Sequence, residues 1–255
     1  MKNSIYKACA IFSLVLAASF VWATGSGAAQ ERDEINRSFT LPAKARVEVS
    51  AINGSVDIQA VDGETAIIQI ERTARSRAEL DCNQVVVRQA SGNLIIESET
   101  VGRQCQNISV THKVLLSVPR TVDLSVHGVS GPVNIGEIEG ALRISGNSGN
   151  ISLAQSGSGS RITGNSGTTT IKLRKLDARG LDLSGNSGAI KLYVGDDLNV
   201  DVKVSGLSGT ASSELPNVEF KKTGDADYYA RIGSGGPTIN VEGSSGSILL
   251  LRQRE

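Results

Sequence analysis

From residue 121 onward, apolar and polar residues alternate in short runs, and the runs come in pairs separated by a small-residue tetrapeptide. The tetrapeptide is Gly-x-Ser-Gly, at 128–131, 146–149, 164–167, 185–188, 206–209 and 243–246. Four and two places before its first Gly stand Leu124/Val126, Leu142/Ile144, Ser160/Ile162, Leu181/Leu183, Val202/Val204 and Ile239/Val241. Two and four places after its last Gly stand Val133/Ile135, Ile151/Leu153, Thr169/Ile171, Ile190/Leu192, Ala211/Ser213 and Ile248/Leu250. A period of two puts one face of a short strand in a core and the other in solvent. Each unit therefore predicts strand, glycine-rich turn, strand.

Successive units are 18, 18, 21, 21 and 37 residues apart. The last step is close to two periods, and Gly224 falls midway, so a degenerate coil is expected over 216–231. Fainter copies occupy 39–120, around Asn53-Gly54-Ser55-Val56 and Ser91-Gly92-Asn93-Leu94, and Ala66–Ile70 and Val114–Val118 alternate as well. One β-repeat domain over 30–255, faint to residue 120 and clear from 121, accounts for all of this. A period of 18–21 residues with two strands per period predicts an all-β fold, a β-solenoid whose coils stack as parallel strands. The alternative is an antiparallel β-sandwich. Stacking predicts a hydroxyl column from Ser130, Ser148, Ser166, Ser187, Ser208 and Ser245, and an amide ladder from Asn147, Asn165 and Asn186. The glycines are expected at corners that need positive φ.

The N-terminus reads differently. Lys2 and Lys7 precede an apolar run from Ala8 to Ala23, and small residues lead to Ala29. A basic start, a run too short for a comfortable span and a small-residue exit predict a signal peptide over 1–29, so the mature chain is exported to periplasm, cell surface or medium. Removing those residues leaves 24 basic against 26 acidic side chains, which gives no basic footprint for nucleic acid. It also leaves five aromatics, Phe39, Tyr193, Phe220, Tyr228 and Tyr229, and no Trp. Cys82 and Cys105 remain as an even pair in an oxidising compartment, which predicts one disulfide; neither has the neighbours of a zinc site.

The opening stretch Phe39-Thr40-Leu41-Pro42 through Gly54-Ser55-Val56, the Gly-x-Ser-Gly units and the ending Gly236-Pro237-Thr238-Ile239 through Ser247-Ile248 together resemble a family of exported bacterial proteins of unknown function, labelled putative adhesins, with Ser-Gly-x-Ile strand repeats. The resemblance covers most of the mature chain. It implies a structural repeat and surface binding, and it supplies no catalytic residues.

Catalytic signatures are missing from the sequence: no nucleophile elbow, dinucleotide fingerprint, phosphate loop or zinc motif can be built, and His112 and His127 stand apart. The chain is thus expected to be non-enzymatic, with no cofactor and no metal. In the stacked register, Arg143, Arg161, Asp182 and Lys203 would form an outward charged stripe, suited to an anionic envelope glycan or an acidic protein. The same stripe is the only candidate surface for a lyase-like polysaccharide enzyme. Asp196-Asp197 near Asp201 is expected to be a turn. Tyr228 and Tyr229, with Phe220, mark the degenerate coil as either a packed corner or a recognition insertion. Ile248-Leu249-Leu250-Leu251, apolar on both faces, would be the last coil, a place for self-association into a polymer.

Overall fold

Two sheets account for nearly all of the regular structure in the computed structural model, which describes residues 30–105, 107–154 and 159–253. The signal peptide expected at 1–29 lies outside the described residues. The N-terminal part contains β1 (Glu31–Thr40), β2 (Arg46–Ser50), β3 (Gly54–Val61), β4 (Thr65–Ala74), the short α1 (Arg77–Cys82), β5 (Asn83–Ala90), β6 (Asn93–Thr100) and β7 (Thr111–Pro119). Strand pairs follow: β8 and β9 (Asp123–His127, Val133–Ile135), β10 and β11 (Leu142–Ser145, Ile151–Ala154), β12 and β13 (Ser160–Thr163, Thr169–Leu173), β14 and β15 (Leu181–Ser184, Ile190–Val194). The C-terminal part contains β16 (Val200–Ser205), β17 (Ala211–Ser213), β18 (Lys221–Lys222), β19 (Tyr228–Ile232), β20 (Thr238–Glu242) and β21 (Ile248–Arg252). Among the described residues no helix is long and apolar enough to cross a membrane.

The ten-stranded sheet runs β1-β4-β7-β3-β9-β11-β13-β15-β21-β17, and the eleven-stranded sheet runs β18-β19-β16-β20-β14-β12-β10-β8-β2-β6-β5. The strand before each tetrapeptide lies in the second sheet and the strand after it in the first. Within both sheets the repeat strands pair in parallel, with Leu142 beside Leu124 and Ile151 beside Thr169. An antiparallel sandwich would pair them the other way. Antiparallel pairing is confined to the ends, where β1 and β4 flank β7, β5 flanks β6, and β18 and β19 flank β16.

The two glycines of each tetrapeptide do different work. The first takes φ between 58° and 64° in all six units, the left-handed region that a Cβ penalises. The second has ordinary φ, but a Cβ there would run into the carbonyl of the equivalent glycine one turn away: Gly149 into Gly131, Gly167 into Gly149, Gly188 into Gly167. Backbone-to-backbone approach at the corner is what lets successive turns close to ladder distance. The position between Gly and Ser is buried throughout and, with Ile52 at the equivalent place of Ala51-Ile52-Asn53-Gly54, forms a column between the sheets: Ile52, Val129, Asn147, Asn165, Asn186, Ser244 and Leu207 in spatial order. The expected amide ladder is thus real in position, and it is closed by apolar residues at both ends. Its bonds are partial: Asn147 Oδ1 accepts from the Val129 N–H at 3.0 Å, Asn165 Nδ2 donates to Gly167 O and Thr169 Oγ1, and neither amide atom of Asn186 has a partner. The serine column is exposed, and its hydroxyls do not bond each other: Ser148 Oγ donates to Ser130 O at 3.2 Å and Ser166 Oγ to Ser148 O, whereas Ser130 Oγ donates to Asn53 Oδ1 at 2.9 Å.

Three expectations about order are corrected. The turn carrying β20 and β21 does not end the stack; it is inserted between the turns of β14/β15 and β16/β17, so β21 pairs with β15 on one side and β17 on the other. Ile248 and Leu250 are consequently core residues, and the premise for polymer growth through a terminal Ile248–Leu251 strand is lost. Residues 216–231 form no further coil: β18 and β19 fold back antiparallel on β16 and cap the second sheet, with Gly224 in their turn. One continuous apolar cluster from Leu41 to Leu250 joins both sheets.

Candidate binding face

The outward row of the eleven-stranded sheet is built by register. Parallel pairing without slippage brings equivalent residues of successive strands side by side, at the spacing of about 4.8 Å between strands. The row reads Glu48, Ser125, Arg143, Arg161, Asp182, Asn240, Lys203 and Tyr229. Arg143, Arg161 and Asp182 are therefore neighbours, as the repeat predicts. Lys203 is not beside Asp182, because the inserted last turn places Asn240 between them. Tyr229 extends the row beyond Lys203 through the antiparallel cap.

Charges along the row are unevenly satisfied. Arg161 Nη2 meets Asp182 Oδ2 at 3.1 Å and Asn240 Nδ2 donates to Asp182 Oδ1 at 3.0 Å. Those contacts, the Asn240 hydrogen bond first, hold the Asp182 carboxyl below the usual carboxylate range. Arg161, the base that a lyase-like reaction would need, is thereby engaged with an anion. Arg143 and Lys203 are exposed and have no ion-pair partner among the described residues. At the end of the row Asp201 accepts from Tyr229 Oη at 2.5 Å and from Arg231 Nε at 2.9 Å. The tyrosine bond and then Arg231 hold Asp201 low, and Asp201 in turn pushes the Tyr229 phenol up. The Arg231 guanidinium also lies 5.8 Å from the Tyr229 ring centroid, so the ring is fixed in place.

Two shallow depressions border the row. One, of about 130 Å³, is lined by Arg46, Glu48, Asp123, Leu124, Ser125 and Arg143. The other, of about 240 Å³, is lined by Arg161, Thr163, Asp182, Leu183, Ser184, Asn240 and Glu242. Chemically this is a flat surface of donors, with Arg143 and Lys203 as cations unpaired among the described residues, that can lie along an extended ligand carrying acidic or hydroxyl groups.

Other candidates separate. Tyr228 pairs with inward Val204 and, with Phe220, packs on the core, so of the adjacent tyrosines only Tyr229 faces outward. The acidic cluster disperses: Asp196 is held by Arg252 at 2.7 and 2.8 Å, and Asp201 by Tyr229 and Arg231. Among the described residues no group of three or more His, Cys, Asp or Glu is placed to hold a metal ion. His127 lies on the surface, 4.0 Å from Glu48.

Sequence reasoning missed the polar cluster under the N-terminal end. Cys82 and Cys105 are joined as a disulfide beside α1, whose first turn Ser76 caps by accepting from the Glu79 N–H. There Arg72, buried, bonds Asp33, Leu80 O and Asn83 O, and His112 Nε2 meets Asn83 Oδ1 at 2.9 Å while Nδ1 meets Asn53 O at 3.2 Å. Burial first, then Arg72, push the His112 pKa down against the Asn53 contact. The signal was available: His112 shares the alternation phase of Val114, Leu116 and Val118, all buried.

The sequence profile of the family described as Toastrack DUF4097 matches residues 22–251. Among solved structures, a putative cell adhesion protein from Clostridium sporogenes superposes with a TM-score of 0.45 at 11% identity, covering 88% of this chain and 100% of that one. A putative lipid binding protein from Parabacteroides distasonis gives 0.37 at 11%, covering 87% and 95%. A putative adhesin from Bacteroides fragilis gives 0.30 at 13%, covering 86% and 97%. No curated protein sequence matches the chain.

Proposed function

From the premise that the chain belongs to the Toastrack DUF4097 family, we propose that it is an exported, non-catalytic β-solenoid that binds an extended anionic or hydroxyl-rich glycan of the cell envelope. The ligand lies across the strands of the eleven-stranded sheet. The observation that carries the reading is the in-register row from Ser125 through Arg143, Arg161, Asp182, Asn240 and Lys203 to Tyr229. Its spacing is set by hydrogen-bonded ladders rather than by loops, so cations and donors are held at fixed intervals before a ligand arrives, which reduces the ordering cost of binding. Arg143 and Lys203 supply charge not already spent on a neighbour, and Tyr229 supplies a ring held by Asp201 and Arg231.

The test is retention of the purified protein on immobilised polygalacturonate against neutral dextran, as a function of salt. Preferential retention on the acidic polymer, weakening as salt screens the exposed charges, is expected. Changing both Arg143→Ala and Lys203→Ala should reduce affinity by roughly two- to tenfold, the scale of two exposed charge contacts. Equal retention of the double variant, or appearance of unsaturated ultraviolet-absorbing product during incubation, would overturn the reading.

A further inference from the structure

The sheets end differently at the two ends of the molecule. At the C-terminal end the ten-stranded sheet stops at β17, three residues long, and the eleven-stranded sheet at β18, the Lys221–Lys222 pair. At the N-terminal end they stop at β1, ten residues long, and β5, eight residues long. Short strands and lysines blunt an unpaired row of backbone N–H and C=O groups, whereas a long regular edge leaves that row as a template for another strand. β1 contains no proline, and its pairing with β4 is unbroken from Glu31 beside Ala74 to Thr40 beside Thr65. Among the described residues no other strand pairs with its outer side, and no bulge turns that side away.

We propose that β1 is a self-association edge: two copies pair their β1 strands antiparallel about a two-fold axis at Ile35, joining two ten-stranded sheets into one. Charge and face selection together give this register. Residues directly opposite in an antiparallel pair must share a face. Ile35 and Phe39 pack against the core cluster, so the odd-numbered residues of β1 face the core side and the even-numbered ones face out. A symmetric pairing that respects the faces must be centred on one residue. Centres at Asp33, Glu34 or Arg37 put like charges against each other on the axis. A centre at Asn36 puts Ile35 opposite Arg37 and Asp33 opposite Phe39. A centre at Ile35 puts Ile35 opposite its own copy, Asp33 opposite Arg37 on both sides of the axis, Glu34 opposite Asn36, Arg32 opposite Ser38 and, at the strand ends, Glu31 opposite Phe39. It brings no like charges opposite. Among the described residues Arg37 is exposed and bonds only the neighbouring Asn36 carbonyl, at 2.9 Å, so its charge is available to the Asp33 carboxylate of the other copy, which within its own chain already meets Arg72 and Arg77. An isologous contact of this kind closes on itself and stops at two copies.

The same end holds a groove of about 460 Å³ between the two edges, where Ile35, Leu80 and Val85 supply apolar lining. Pairing across Ile35 covers its rim. Self-association thus belongs to the N-terminal edge, and the C-terminal strand is interior.

Sedimentation equilibrium of the purified protein should show a monomer–dimer equilibrium and nothing larger. Arg37→Glu, which sets two like-charge contacts in place of two attractive ones, should weaken dimerisation roughly tenfold and leave the melting temperature of the monomer unchanged. Under mild oxidation Ile35→Cys should cross-link across the axis. Ser38→Cys should not, because in this register its two copies lie roughly 20 Å apart along the strands. A protein that stays monomeric as concentration rises, a dimer indifferent to Arg37→Glu, or cross-linking at Ser38→Cys equal to that at Ile35→Cys would each overturn the proposal. If Ile35→Cys does not fold, sedimentation of the parent protein and Arg37→Glu still decides.

Discussion

Between Asp123 and Val194, four strand pairs lie on one another in the order in which the chain makes them, whereas on both sides of that block the chain skips a place and fills it later. Toward the N-terminus, β2 and β3 come first, the chain leaves through β4, α1 and β5, and β6 and β7 return to the outer side of β2 and β3 before β8 takes the inner side. Toward the C-terminus, β16 and β17 go out first, β18 and β19 fold over them, and β20 and β21 fill the gap. In the middle each turn needs only its predecessor, so local contacts suffice to propagate the stack. A terminal turn built that way would have one open ladder and would fray. Filling the penultimate place last makes each end depend on pairing between segments distant in sequence, which costs loop-closure entropy and favours slower folding. In return, the end strand is flanked on its outer side by antiparallel strands, except at β17, which is itself the edge of the ten-stranded sheet.

The largest effect should come from the middle. Gly167→Val puts a side chain into the Gly149 carbonyl and should cost more than about 3 kcal/mol, enough to prevent accumulation of folded protein. Gly164→Ala, in the same tetrapeptide, meets no atom closer than Gly146 N at 3.8 Å and pays only for its φ of 63°, about 1 kcal/mol. Denaturant titration of the two variants separates close approach from backbone conformation; equal losses would refute that division. Next, the Cys82→Ser, Cys105→Ser variant opens a link spanning 23 residues and should lose about 3 kcal/mol on the chain-entropy account. Amide exchange should accelerate first in α1 and β5 while β10 to β13 stay protected. Uniform acceleration would mean that the ends and the middle unfold as one.

The smallest effect is a pH dependence confined to the N-terminal end. Because burial lowers the His112 pKa in the folded state, the unfolded chain binds the extra proton first as pH falls. Stability from this group is complete above the ordinary histidine pKa of about 6.5 and declines as pH drops below it. Exchange in β4 and β7, corrected for intrinsic rates, should therefore rise between about pH 7 and pH 5. His112→Gln, which cannot gain that charge, should flatten the dependence; an unchanged slope would assign it elsewhere.

Much of the candidate face was legible because register follows from the repeat. Arg143, Arg161 and Asp182 hold the same place before their glycines, and equal places become neighbours once strands pair in parallel. Lys203 holds that place too, yet its neighbour is Asn240, since position within a turn says nothing about the order of turns. A clue lay in the buried column: Ser244 is polar and sits beside Asn186, while Leu207 is apolar and closes the end. That preference is weak, because every turn offers the same backbone ladder. Tyr229 joined the row only through an antiparallel cap, whose pairing has no equivalent in the repeat.

The sequence by itself determined the all-β class, the strand and corner phases and which side chains face out, since alternation and glycine placement are local requirements of backbone geometry. Only the tertiary structure decided the order of the outer turns, the interior place of Ile248–Leu251 and the company of Lys203. Those depend on which of several nearly interchangeable edges a returning segment meets, and that choice is settled by the packing and loop closure of the whole chain.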